Sequence, residues 1–143
     1  MPNSVKLQVI TPSKLFYDGD IELVIVRTMT GEEGFMANHS WACKLLDVGE
    51  MCIQEAGAGP REFKVAAVAG GFIDVKEDIV IYTDTAEWSQ DVDVERAKRI
   101  MNEVEKWIED HKNYDPAELV EPRHLLAKER ARIKVAAGGA HKK

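Results

Sequence analysis

The chain changes its hydrophobic period once. Up to Glu87 apolar residues recur at every second position in short runs, and beyond it at every third or fourth. In the first part VKLQVI (5–10) alternates apolar and polar residues and stops at Thr11-Pro12. A β-branched run, IELVIVRT, is entered through the turn signal Asp18-Gly19-Asp20. EMCIQE (50–55) is a further alternating run, and AGAGP (56–60) reads as a loop. EFKVAAVAGGFIDV (62–75) follows, then a turn at Lys76-Glu77-Asp78 and the strand IVIYT. Short strands with turn signals at roughly 8–12-residue spacing predict a sandwich or barrel.

The run from Phe63 to Val75 is too long and too apolar for one flat surface strand, and Gly70-Gly71 falls at its midpoint. Glycine inside a strand packs nothing and marks a bend, a bulge or a close backbone approach. The pair therefore predicts a corner where one strand leaves a first sheet and enters a second.

After Glu87, Ala97, Ile100, Met101, Val104, Ile108 and His111 fall on one helical face. Asp91, Asp93 and Glu95 suit the first turn, where they complement the helix dipole, and Asn113 is expected to stop the helix in a left-handed conformation. Asp115-Pro116-Ala117-Glu118 reads as a new start, with Asp115 as N-cap. Pro122 would break a helix interior, so a kink or restart is expected there. The pattern resumes to Ala136, with Leu119, Leu126 and Ile133 at heptad spacing, and ends at Gly138-Gly139. The predicted architecture is α+β: an antiparallel β-sandwich over 1–87 and a two-helix αα-hairpin over 88–143.

Composition adds a packed core, at 45% apolar residues, and a net charge of −6, which argues against nucleic acid as a partner. The charge is unevenly spread. Residues 1–87 hold 7 Lys/Arg against 14 Asp/Glu, 88–121 hold 5 against 10, and 122–143 hold 7 against 1. The two arms of the hairpin thus carry opposite charge, and a contact made of weak surface pairs can open.

Candidate chemistry is sparse. His39, Cys43 and Cys52 lack metal-ligand spacing, and the cysteines read as free thiols of a reducing compartment. No nucleophile elbow or Cys/His pair occurs, and AGAGP and AGGF lack the remaining residues of a phosphate loop. His124 beside Arg123 reads as a solvated helix residue. An enzyme is therefore disfavoured. No stretch reaches the roughly 18 apolar residues of a membrane span. MPNSVKLQV has no signal-peptide or transit pattern, so a cytosolic protein is expected. Trp88 falls at the seam between the two parts, and Trp41 lies just after the acidic loop Gly31-Glu32-Glu33-Gly34, where an exposed contact is one reading.

Read together, V-I-T-P (9–12), T-G-E-E-G-F-M-A-N-H (30–39), A-G-G-F-I-D-V (69–75), T-D-T-A-E (83–87) and D-V-D-V-E-R-A-K (91–98) resemble the epsilon subunit of the F-type ATP synthase, over nearly the whole length. The resemblance implies a ten-stranded sandwich and two helices. It implies a non-catalytic central-stalk subunit that binds the gamma subunit and the c-ring and works beside the catalytic alpha and beta subunits. Such a subunit is peripheral to the membrane, on the cytoplasmic face of the bacterial inner membrane.

In this family the helices fold on the sandwich or extend along gamma, and the extended form inhibits ATP hydrolysis. By resemblance, Lys128, Arg130, Arg132 and Lys134 are assigned to a beta-subunit contact, and Glu32 and His39 to the c-ring contact. Ala37-Asn38 replaces the usual Pro-Gly before that histidine, which puts a different loop backbone in prospect. Some members bind ATP through I/L-D-x-x-R-A. The corresponding residues here are Val92, Asp93, Arg96 and Ala97, joined by Glu87 and Arg132. Glu103 and Lys128 stand where binders carry arginine, so weak regulatory ATP binding or none is expected, with no other cofactor, no catalytic residue and no metal. The alternative is a free-standing β-sandwich binding module with a helical appendage.

Overall fold

The structure, a computed structural model, describes residues 3–138. Seven strands come first: β1 Val5–Ile10, β2 Leu15–Thr28, β3 Gly31–Met36, β4 Ala42–Glu55, β5 Lys64–Val75, β6 Ile79–Tyr82 and β7 Ala86–Trp88. Two helices follow, α1 Val94–Asp110 and α2 Val120–Ala136. The ladder runs β1-β6-β5-β4-β2-β3, and β1 also pairs with β2, so five strands close on themselves. All pairings are antiparallel except β1 with β6. Inside this closed body Leu7, Val9, Ile21, Val24, Met51, Ile53, Ile73 and Ile81 are fully buried.

The strand count is seven rather than ten because β2, β4 and β5, at 12–14 residues each, run through bends and pair on both sides of them. Gly70-Gly71 is such a bend. Both residues have positive φ, 84° and 107°. Before them β5 is flanked by β7, and after them by β6. A Cβ on Gly71 would stand 1.8 Å from the Tyr82 carbonyl oxygen. The pair therefore serves both as a corner and as a close backbone approach.

Three expectations need correction. Asp18-Gly19-Asp20 is not a turn but mid-strand, paired with Leu7-Lys6 and neighbours of β1, and Lys6 Nζ lies 3.8 Å from Asp18. Cross-strand pairing outweighs the local turn preference there. The acidic stretch 31–34 is not a loop but the start of β3, held by pairing with β2 and by the buried Phe35. Asn113 is not left-handed: α1 ends at Asp110, and Asn38 is the only non-glycine with positive φ among the described residues.

The helix starts follow the local chemistry. Asp93 caps α1 by accepting the Arg96 N–H at 3.0 Å. Asp115 accepts the Ala117 N–H and opens a 3-10 turn, Pro116–Leu119, from which α2 restarts. Pro122 then lies in the first turn of α2, where an N–H has no intrahelical acceptor. Gly139 and the end of the proposed hairpin range lie outside the described residues.

Candidate functional site: the cleft under the hairpin

Chiefly α2 packs the hairpin onto the body, across β4 and β5. Near its end Val135 is fully buried and completes a small apolar cluster with Cys52, Val65 and Ala67. The burial that seals this cluster, together with Glu50, pushes the Cys52 thiol up to about 12, so it is an inert packing residue. Cys43 is exposed, and neither cysteine is in a disulfide. Apart from this plug, the hairpin and body bound a cleft of about 550 Å³.

Arg132 is the centre of the cleft. Its Nε donates to Glu87 Oε1 at 2.8 Å and its Nη1 to Glu129 Oε1 at 2.6 Å. Glu87 comes from β7 and Glu129 from one turn earlier on α2, so the guanidinium joins body to helix. Glu129 is only 3% exposed, which makes Arg132 its necessary counter-ion. The Glu87 bond outweighs burial and pushes Arg132 further above its usual range.

Three further cations line the same space, Lys14, Arg96 and Lys128, as does Asp91. Lys14 Nζ sits 5.7 Å from the Phe16 ring centre, and Phe16 stacks on Trp88 at 4.5 Å. Trp88 thus walls the cleft and packs against the core, at the seam where it was expected.

Of the residues assigned to nucleotide, Glu87, Arg96 and Arg132 line the cleft, while Val92, Asp93 and Ala97 do not. Asp93 spends its carboxylate on the helix cap, and Ala97 is fully buried. Glu103 lies elsewhere, in a groove at the outer end of the hairpin. The four basic residues assigned to a beta contact do not form one patch. Lys128 and Arg132, four apart, face the cleft, whereas Arg130 and Lys134 line an outer groove with Lys98, Met101 and Ile133. Arg130 also pairs with Glu105 of α1 at 3.3 Å.

Glu32 and His39 lie toward opposite ends of β3, with roughly 13 Å of strand between Glu32 and Met36, at about 3.3 Å per residue. His39 follows Met36 in a tight loop, its N–H donating to the Met36 carbonyl at 3.3 Å. Asn38 adopts φ 65° there, supplying the left-handed backbone that glycine would otherwise favour. Next to this loop Met36 and Trp41 are exposed, Trp41 at 69%. Glu33 is paired instead with Lys44 at 2.6 Å, which lowers its carboxyl below the usual range.

Another surface went unforeseen. Leu45 of β4, Phe72 of β5 and Tyr82 of β6 are register neighbours on the outside of the body, and the Met29 N–H donates to the Leu45 carbonyl. All four side chains are exposed, and Leu45, Phe72 and Tyr82 form an apolar band across adjacent strands. Among the described residues no helix is long and apolar enough to cross a membrane, and no group of His, Cys, Asp or Glu is placed to hold a metal.

Comparison with known proteins agrees with this geometry. Residues 4–89 match the family model described as ATP synthase, Delta/Epsilon chain, beta-sandwich domain. The ATP synthase epsilon chain of Alkaliphilus oremlandii is 38% identical over 107 residues, 74% of this chain and 77% of that one. The epsilon chain of Caldanaerobacter subterraneus subsp. tengcongensis is 31% identical over 141 residues, 95% of this chain and 96% of that one. A chain in the cryo-EM structure of the Euglena gracilis mitochondrial ATP synthase OSCP/F1/c-ring has the same fold, with a TM-score of 0.76 at 19% identity, covering 92% of this chain and 80% of that chain. A closed β body carrying two helices, with relatives of one kind along nearly its whole length, identifies the chain as a member of the ATP synthase epsilon chain family.

Proposed function

We propose that this chain is a non-catalytic central-stalk subunit of an ATP synthase. In this reading the β body couples the gamma subunit to the c-ring, and the helical hairpin regulates ATP hydrolysis. The complex holds it at the cytoplasmic face of the membrane. The apolar band Leu45-Phe72-Tyr82 and the Met36-Trp41 loop offer the body surfaces that neighbouring subunits would cover.

The observation that carries the regulatory half is the economy of the hairpin's attachment. Among the described residues the buried Val135 and the Arg132 guanidinium are the specific anchors of α2 on the body, beside a cleft of about 550 Å³. Such an attachment is strong enough to hold and small enough to release. Release would free Lys128 and Arg132 together with Arg130 and Lys134, giving the whole basic arm to an acidic partner such as a segment of the beta subunit.

Nucleotide has a minor part in this reading. Arg132 already has its charge compensated by two carboxylates, so ATP entering the cleft would compete with them for it and otherwise rely on Lys14, Arg96 and Lys128. Weak binding or none follows.

The test is truncation in the assembled complex. The cut belongs after Asp91, because a cut after Glu87 would remove Trp88, whose ring stacks on Phe16. The truncated subunit should still co-purify with gamma, support synthesis and release hydrolysis from inhibition. Unchanged hydrolysis overturns the regulatory role, and failure of the intact chain to co-purify with gamma favours a free-standing binding module.

A further inference from the structure

The hairpin's charge is polarised along its length as well as between its arms. Its base, 94–102 with 128–138, carries 7 basic residues against 2 acidic. Its outer end, 103–127, carries 7 acidic against 3 basic. The base meets the acidic body through Val135 and Arg132, while the groove at the outer end is lined by residues of the two helices.

That outer end is also apolar. A groove of about 420 Å³ runs between the helices there, floored by Val104, Trp107, Pro122 and Leu125. Its rim is Glu103 and Glu121, neither in an ion pair among the described residues. Trp107 is fixed in place: it stacks on His111 at 3.9 Å, and Tyr114 stands edge-on to both rings. His111 Nδ1 lies 2.6 Å from the Trp107 carbonyl oxygen and locks the stack. Trp107 remains 39% exposed, Leu125 37% and Val120 63%. A rigid, preordered aromatic beside open aliphatic surface loses little freedom on binding.

We infer that this outer groove is a docking surface for a basic amphipathic helix of a partner protein. Its leucine-type residues would cover Trp107 and Leu125, and its lysines or arginines would meet Glu103 and Glu121. Charge complementarity selects that occupant. An acidic helix would be repelled by the rim, and an anionic membrane surface likewise. The inference stands on the groove alone and does not depend on the hairpin's release from the body.

The experiment uses the full chain and a labelled lysine–leucine amphipathic peptide of about five helical turns, with a glutamate–leucine peptide of the same pattern as control. The expected result is saturable binding of the lysine peptide, with NMR shifts centred on the Trp107 indole N–H. Leu125→Ser, and separately the pair Glu103→Lys with Glu121→Lys, should each weaken it by about tenfold or more. The pair Glu77→Lys with Asp78→Lys, in an exposed turn of the body, should change it by less than about twofold. Equal binding of the two peptides, shifts centred elsewhere, or groove variants that bind as well as the parent overturn the inference. So does a chain that dimerises until the groove is substituted, since the occupant is then a second copy.

Discussion

At the residue scale the sharpest constraint in the molecule is Gly71. Its φ of 107° is open to glycine and strained for other residues, and no space exists for a side chain beside the Tyr82 carbonyl. Gly70 shares the positive φ, but a Cβ there would meet only the Leu46 carbonyl oxygen at 3.5 Å, ordinary contact. The two glycines are therefore unequal. Gly70→Ala should cost about 1–2 kcal/mol, the strain of a left-handed backbone. Gly71→Ala adds a backbone collision that pushes β5 off the end of β6 and should cost about 3 kcal/mol or more. Urea unfolding of the two variants measures the difference, and equal losses would contradict it. The need for glycine was legible in the sequence as an interruption in an apolar run. Which glycine matters more was not, because Tyr82 approaches from another strand.

At the element scale the long strands are tied at their ends by polar pairs. Tyr17 of β2 donates its hydroxyl to Glu55 Oε2 at the end of β4, at 2.7 Å, and Lys64 of β5 adds an ion pair at 3.3 Å. Burial, then the Glu55 bond, raises the Tyr17 phenol well above its usual range. The Tyr17 bond, followed by Lys64, lowers the Glu55 carboxyl. The signs give opposite pH windows. A raised phenol contributes stability that is whole below about pH 10, its unfolded value, and is lost as pH rises beyond it. A depressed carboxyl contributes stability that is whole above about pH 4.3 and is lost as pH falls below it. Thermal melts of the parent and Tyr17→Phe between pH 8 and 11 should show the parent losing stability faster, with the two curves converging. Parallel curves would remove Tyr17 from the account.

The same scale shows what periodicity reveals and what it misses. The change of period after Glu87 located the helices, the cap at Asp115 followed from residue type and spacing, and Asp93, expected in the first turn for the helix dipole, proves to be the cap of α1. The turn signal at Asp18-Gly19-Asp20 failed because β1 supplies partners that a local rule cannot see. Among cleft residues, Glu87, Arg96 and Arg132 were found by resemblance, whereas Lys14, just before β2, and Phe16, at its start, come from far along the chain and left no local sign. Glu129 did leave one. It is the single acidic residue in 122–143, placed three before Arg132. A lone carboxylate in a basic helix at that spacing points to an internal partner.

At the scale of the whole molecule the hairpin behaves as a lever with its fastening at one end. The acidic body attracts the basic base, but diffuse surface attraction is screened by salt and contributes little. Specific holding falls to Val135 and to the Glu87–Arg132–Glu129 triad. The triad is asymmetric, with side-chain exposures of 33%, 16% and 3% for Glu87, Arg132 and Glu129. Removing Glu87 leaves Arg132 still paired on its own helix. Removing Arg132 strands a buried carboxylate, which is relieved by opening of the docked state or by uptake of a proton. Arg132→Ala should therefore destabilise docking by about 3 kcal/mol, and Glu87→Gln by about 1 kcal/mol. Adding Glu129→Gln to Arg132→Ala should recover much of the loss, since a neutral amide tolerates burial better than an unpaired charge. Hydrogen exchange of the α2 amides reads docking directly: exchange should be fastest in Arg132→Ala, intermediate in the double variant and slower in Glu87→Gln. The amides of Ile73 and Val75, in the second half of β5, should hold their protection throughout, because these residues belong to a core to which α2 adds nothing, unlike Val65 and Ala67 beneath Val135. If α2 and the Ile73–Val75 end of β5 lost protection together, the hairpin would be an integral part of the body's fold and not a lever upon it.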